Sequence, residues 1–237
     1  MPDDGLIPGS FLDADGVWCQ ARADLSWAGG LPALFLDRDG VVVEEVHYLH
    51  RVEDLALIPG AAEFIAEANR RGIPVVVASN QAGIARGYFG WHEFQQVQAE
   101  LNHRLERVGA RVDLMLACPH YPEHPDRKPR PGMFRKAAEM AGFDLGRSWV
   151  VGDKTSDLEA GRAAGMAGGI LVLTGHGHSH RDAVLALAPA VESRSSGVSH
   201  PPVLSGAPAM HHFRVFVENS IRDVWYALHN CQSGNGD

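Results

Sequence analysis

Ala33-Leu34-Phe35-Leu36-Asp37-Arg38-Asp39-Gly40 is the stretch whose reading decides the fold. Four apolar residues in a row read as a short buried strand. The two carboxylates that follow, one residue apart, point the same way, and Gly40 lets the chain turn sharply after them. Such a pair suits chemistry on phosphate, because one carboxylate can attack phosphorus to form an aspartyl phosphate while the other moves protons. Two acids at a strand end are also often a solvated edge, so the rest of the chain has to supply the context.

Three later segments do so. Val75-Val76-Val77-Ala78-Ser79-Asn80 is a β-branched run ending in a hydroxyl and an amide. Arg127-Lys128-Pro129-Arg130-Pro131-Gly132-Met133 sets a lysine just before a proline-started helix. Val150-Val151-Gly152-Asp153-Lys154-Thr155-Ser156-Asp157 is a third strand ending in Gly-Asp, with another acid one helical turn on. In an open parallel sheet, ligands bind outside the carboxyl ends of the strands, so these polar groups are expected in one crevice. Together they offer a nucleophile, an acid/base, donors for phosphoryl oxygens and a magnesium site.

This ordered set over residues 33–157 resembles the haloacid dehalogenase superfamily of phosphotransferases. Within it, Phe35–Val41, Ser79-Asn80-Gln81-Ala82-Gly83-Ile84-Ala85-Arg86-Gly87, Cys118-Pro119-His120, Arg127-Lys128-Pro129 and Val151-Gly152-Asp153-Lys154 are similar to the branch of small phosphatases that includes heptose bisphosphate phosphatases and the histidinol phosphatase domain. The resemblance implies Asp37 as nucleophile and Asp39 as the acid that protonates the leaving alkoxide and then, as a carboxylate, activates water. Ser79 and Lys128 would hold the transferring phosphoryl oxygens. Asp37, Asp153 and the Asp39 backbone carbonyl would bind one Mg2+, a small hard cation that prefers oxygen. Asp157 would orient Lys154 or the metal waters. Arg127 and Lys154 match substrate-contacting positions, and Glu45, Tyr48, Asn80 and Gln81 would line the same pocket.

The chain departs from that branch in one loop. There, Cys-x-His followed later by Cys-x-Cys binds a structural zinc; here Cys118 and His120 keep the first half, and His124-Pro125-Asp126 stands in the second. Cys118, His120, His124 and Asp126 could still surround Zn2+, all being legitimate ligand types; a shortened loop with surface histidines is the simpler reading. A second Asp-x-Asp-Gly, Asp13-Ala14-Asp15-Gly16, follows a Gly- and Pro-interrupted segment rather than a buried strand, and reads as a turn. The run His176-Gly177-His178-Ser179-His180 could chelate a metal adventitiously, but a flexible stretch is the simpler reading.

Strands expected at 33–37, 73–79, 112–117, 148–152, 169–173 and 213–217 alternate with helices after Pro59-Gly60 and at about 91–108, 131–141, 155–164 and 220–228. This pattern predicts a three-layer doubly wound α/β fold with a mainly parallel sheet. The domain organisation expected is an N-terminal extension (1–30), one phosphatase domain (31–230) with an irregular insertion at 175–212 containing a short helix at 182–187, and a disordered tail (231–237). No room is left for a large cap domain, so selectivity should come from loops 44–51, 83–90 and 118–127.

With 237 residues, 45% of them hydrophobic, the chain can bury one sizeable core. A formal net charge of -8 offers no basic field for nucleic acid. Three widely spaced cysteines do not form a secreted disulfide framework, and no run approaches the length needed to span a bilayer, so the cytoplasm is the expected compartment. The expected function is a Mg2+-dependent phosphomonoesterase acting on a small sugar phosphate, D-glycero-D-manno-heptose 1,7-bisphosphate first, as a monomer or small homo-oligomer. Histidinol phosphate or another small metabolite is the alternative. Behind these stand a nucleic-acid 3'-phosphatase, a phosphotransferase with an acceptor other than water, and a non-catalytic phosphate-binding module.

Overall fold

A computed structural model describes residues 7–22, 29–187 and 213–229. Six parallel strands form the body of the sheet: β3 (Leu34–Leu36), β4 (Val75–Asn80), β5 (Leu114–Cys118), β6 (Trp149–Gly152), β7 (Gly168–Val172) and β8 (Arg214–Glu218). Two antiparallel strands, β1 (Ser10–Leu12) and β2 (Trp18–Ala21), extend one edge, with Trp18 opposite Ala117 of β5. The order across the sheet is β1-β2-β5-β4-β3-β6-β7-β8. The winding reverses at β3, where Leu34 faces Val75 on one side and Trp149 on the other. That reversal opens the crevice in which such sheets bind ligands, and Asp37 emerges directly into it.

The two-residue period of the strands divides the core into two layers. Leu34, Leu36, Val75, Val77 and Val151 point to one face, where they meet α1 (Ala61–Arg70), α3 (Trp91–Glu106) and α7 (Ile221–His229) through Phe64, Ile65, Phe94, Val97, Leu101 and Ile221. Phe35, Val76, Ala78 and Val150 point to the other, against Met133, Phe134 and Ala137 of α4 (Gly132–Ala141) and Ala160 of α5 (Thr155–Ala164). Phe35 and Phe134 meet edge to face, ring centroids 5.2 Å apart.

The expected elements fall within two residues of those observed, with three differences. The hairpin β1–β2 was not expected, because its strands are short and its partner, β5, lies about 95 residues away. The short helix α2 (Ala82–Ala85) hides in a Gly-containing loop. The described part of the expected irregular insertion, 175–187, carries α6 (Gly177–Leu185), longer than the helix expected at 182–187 and covering the His-rich run. Val184 on its buried side packs with Leu158 and Leu171, a tertiary contact that outweighs the weak local helix signal. Residues 188–212 and 231–237 lie outside the described residues. Among those described, no helix is long and apolar enough to cross a membrane.

Candidate active site

Asp37 and Asp39 leave the end of β3, Ser79 is the penultimate residue of β4, and Asp153 follows β6; Asp37, Asp39 and Ser79 line one cleft of about 760 Å³, with Asp153 buried next to Asp37. Asp37, Ser79, Lys128, Asp153 and Asp157 are all buried. Lys128 Nζ sits among three oxygens: Asp37 Oδ1 at 2.8 Å, Ala78 O at 2.7 Å and Asp157 Oδ1 at 2.6 Å. Burial pushes the Asp37 carboxyl up, helped by Asp157 and opposed by Lys128. For Lys128 burial acts in the other direction, but Asp157 and Asp37 outweigh it and hold the ammonium above the ordinary lysine range.

Asp39 takes a different environment. Arg38, itself buried beneath the strand end, makes two hydrogen bonds to the Asp39 carboxylate, Nε to Oδ2 at 3.1 Å and an Nη to Oδ1 at 3.0 Å. Ser79 Oγ and Gln81 Nε2 donate to Asp39 Oδ2 at 3.2 and 3.1 Å. Burial opposes ionisation there, yet Arg38, the Lys154 ammonium and the Ser79 hydroxyl leave the carboxyl below its ordinary value. The two acids of one Asp-x-Asp pair are therefore driven apart, one up and one down.

Asp153 is fully buried beside Asp37 and Asp157. Burial and the neighbouring Asp37 push it up to about 6. Its Oδ2 accepts from the His176 backbone N–H at 2.8 Å, whereas the buried Oδ1 has no hydrogen-bond partner and only the Lys154 ammonium at 3.4 Å. Two glycines at positive φ press against it: a Cβ on Gly40 would lie 2.2 Å, and one on Gly175 2.3 Å, from Asp153 Oδ2. An orphaned buried carboxylate oxygen, with ligand atoms of Asp37, Asp153 and Asp157 all within 4.8 Å of one another, fits a hard divalent cation. Glu45, Asp153 and His176 form a second group of the same kind around the shared Asp153.

The remaining expected residues divide by what they touch. Glu45, Tyr48, Arg127 and Lys154 line the cleft, and Lys154 Nζ reaches Glu45 Oε2 at 3.2 Å. Asn80 also borders it, but its amide is committed to the backbone of Lys128, donating to the carbonyl at 2.9 Å and accepting from the N–H at 3.1 Å. Gln81 is similarly committed, bridging Ser79 Oγ at 2.7 Å and Asp39. Asp157 accepts from the Lys154 backbone N–H, as a helix N-terminal acid does, but its other oxygen holds Lys128, a partner the sequence reading did not assign.

Loops 44–51 and 118–127 border the cleft through Glu45–Leu49, Pro122, Glu123 and His124. Loop 83–90 does not; it braces the other two from behind. Tyr88 packs on Tyr48 (centroids 4.7 Å apart), Phe89 stacks on His50 (5.6 Å), and the Arg86 guanidinium lies 3.9 Å over the Tyr121 ring. Missed at the sequence level were Arg38, His176 and Thr174, whose Oγ1 donates to the Gly40 carbonyl at 2.6 Å. Thr174 stands just beyond β7, so the strand-end logic that singled out Ser79 would have found it. Cys118, His120, His124 and Asp126 are not among the groups of described residues whose ligand atoms gather for a metal.

A doubly wound sheet with an Asp-x-Asp at its switch point, a lysine bridging to a third acid and a buried Gly-Asp one strand over defines a hydrolase of the haloacid dehalogenase type. A hydrolase-like family model, described as HAD-hydrolase-like, matches residues 126–192. The D-glycero-beta-D-manno-heptose-1,7-bisphosphate 7-phosphatase of Mesorhizobium japonicum is 44% identical over 170 residues, which cover 68% of this chain and 78% of that protein. The enzyme of the same name from Pseudomonas aeruginosa is 41% identical, over 61% of this chain and 82% of its own. Among solved structures, the D,D-heptose 1,7-bisphosphate phosphatase of B. bronchiseptica, complexed with magnesium and phosphate, matches with a TM-score of 0.68 at 29% identity, covering 84% of this chain and 98% of that one. The chain belongs to the heptose-bisphosphate phosphatase family of HAD-like hydrolases, and it is a phosphoric monoester hydrolase.

Proposed function

We propose that this chain is a Mg2+-dependent phosphatase that removes the 7-phosphate of D-glycero-D-manno-heptose 1,7-bisphosphate through an aspartyl phosphate on Asp37. The observation that carries the chemistry is the buried Asp37–Lys128 pair at the switch point of the sheet, beside the orphaned oxygen of Asp153. The substrate rests on the relatives' names, and a cleft of about 760 Å³ has room for a sugar bisphosphate.

In this reading Asp37 attacks phosphorus in line, and Lys128 and Ser79 stabilise the equatorial oxygens as charge develops on them. Asp39 protonates the leaving alkoxide and then takes a proton from the attacking water. Arg38 holds Asp39 ionised beforehand; an arriving phosphoryl dianion raises its proton affinity and brings the acid form into reach. Asp37, Asp153 and the Asp39 carbonyl would hold Mg2+, which when bound would neutralise charge at the phosphoryl group. Arg127, Lys154, Glu45 and Tyr48 recognise the remainder of the sugar, an arginine fork suiting its second phosphate. Asn80 and Gln81 serve mainly by fixing Lys128 and Ser79.

The acidic chain and two buried free cysteines, Cys19 and Cys118, fit a cytoplasmic enzyme acting on a small metabolite rather than on nucleic acid, as a monomer or small homo-oligomer. The test is phosphate release with Mg2+ from heptose 1,7-bisphosphate, histidinol phosphate, other sugar phosphates and a 3'-phosphorylated oligonucleotide. Preference for the heptose compound by at least about tenfold in kcat/KM, or about 1.4 kcal/mol in transition-state binding, is expected. Equal or better turnover of histidinol phosphate would overturn the substrate while leaving the chemistry.

A further inference from the structure

The proposed reaction makes no use of a second group of charges that lies beside loop 118–127. Lys136, in the second turn of α4, points its ammonium at three carboxylates: Asp13 Oδ2 at 2.5 Å, Asp15 Oδ2 at 2.7 Å and Asp126 Oδ2 at 2.7 Å. Asp126 is only 3% exposed and directly precedes Arg127. Asp13 and Asp15 belong to the turn between β1 and β2. Asp13 is fixed independently, its Oδ1 accepting from the backbone N–H groups of Asp15 and Val17 at 2.9 Å each. A buried carboxylate without a counter-charge is unfavourable, so the ammonium dictates where Asp126 sits.

A second tie runs in parallel. His120 Nε2 lies 2.6 Å from the Asp15 carbonyl oxygen, and the His120 carbonyl accepts from an Nη of Arg127 at 3.3 Å. The Arg127 backbone N–H donates to His124 O at 3.0 Å. Behind the loop, Gly132 packs so tightly that a Cβ there would meet Asp126 Oδ1 at 2.2 Å. Lys128, by contrast, is anchored by Asn80, Ala78, Asp37 and Asp157, none of which touches Lys136.

The zinc of the resembled branch does not fit this arrangement. Asp126 is engaged by Lys136, His120 Nε2 by the Asp15 carbonyl, and His124 Nδ1 accepts from the Asp126 backbone N–H at 3.2 Å while its ring stacks on that of His120. We infer that Lys136 is a positioning residue whose ammonium, bridging the β1–β2 turn to Asp126, takes the place of a metal ion as the fixed charge that holds loop 118–127 and aims Arg127 into the cleft.

This inference rests on the reading of Arg127 as a contact to the distal part of the substrate, so its test includes a readout free of that reading. After dialysis in Zn2+, the zinc content of Cys118→Ala/His124→Ala lies within about 0.1 per chain of wild type by mass spectrometry, any zinc bound residing on the acids of the cleft, and a chelator followed by excess Mg2+ leaves Tm and activity unchanged. For Lys136→Met, kcat/KM on heptose 1,7-bisphosphate falls about ten- to a hundredfold, mainly through KM, while p-nitrophenyl phosphate, which has nothing to reach Arg127, loses less than about threefold. Lys136→Arg, which keeps the charge, recovers most of the loss. A full equivalent of zinc that is lost in Cys118→Ala/His124→Ala, or an equal fall on both substrates, would overturn the assignment. If Lys136→Met does not fold, Asp13→Asn/Asp15→Asn, in which Asp126 keeps its ammonium but the hairpin is released, carries the same comparison of substrates.

Discussion

Asp13-Ala14-Asp15-Gly16 and Asp37-Arg38-Asp39-Gly40 share a spelling and a left-handed glycine, but not an environment. The first caps an antiparallel hairpin at the sheet edge, its acids half in solvent and neutralised by a lysine. There it does the ordinary work of an aspartate turn, one carboxylate accepting two backbone N–H bonds. The second ends the central strand of a parallel sheet, where burial separates its two acids into one of raised and one of lowered proton affinity. Topology, rather than the residues themselves, makes one pair a turn and fits the other to the chemistry proposed for it.

The comparison breaks most directly at Asp37. Asp37→Asn is expected to lose at least about 10⁴-fold in kcat, as removal of a nucleophile does, whereas Asp15→Asn changes turnover of p-nitrophenyl phosphate by less than about threefold. Steady-state assays on the two variants decide it, and comparable losses would erase the distinction. Next in size, Lys128→Met leaves Asp37 and Asp157 buried without their counter-charge. It is expected to cost about 10²- to 10³-fold in kcat and about 3–5 kcal/mol in stability by urea unfolding.

Asp153 sharpens the contrast through pH. Its carboxyl is raised from an ordinary 3.8 to about 6, so between those values the folded metal-free protein holds a proton that the unfolded chain has released. Stability contributed by this group is therefore lost as pH rises through that window. Metal-free Asp153→Asn should match wild type near pH 4 and exceed it by about 5 °C in Tm at pH 7, with no further rise on adding Mg2+. Calorimetry at the two pH values checks this, and a variant less stable at pH 7 would refute it. The smallest effect expected is at the cysteines. Burial pushes Cys19 to about 12 and Cys118 to about 11, so in a Cys231→Ser background neither thiol should react appreciably with a thiol reagent at pH 8 until the protein is unfolded.

Much of the proposed site was legible in the sequence, because Asp37, Ser79 and Asp153 each sit at the end of an apolar run whose length and spacing give away the strand. Ser79, Asp37 and Asp153 needed only the rule that parallel strand ends share a crevice. The partnerships across the site were not legible. Nothing local pairs Asp157 with Lys128, 29 residues earlier by their numbers, or Lys136 with Asp13, 123 residues away. Asn80 was identified as part of the site, but which way its amide turns depends on the backbone of Lys128. The hairpin escaped notice because strands of three and four residues carry almost no period, and their stability comes from pairing with β5.

The central claim, that Asp37 rather than any other acid receives the phosphoryl group, is tested by acid-quenching the enzyme during turnover of heptose 1,7-bisphosphate and locating covalent phosphate by peptide mass spectrometry. The account predicts phosphate on the peptide carrying Asp37, absent in Asp37→Asn. Phosphate on the Asp13–Asp15 peptide, or full turnover by Asp37→Asn, would contradict it.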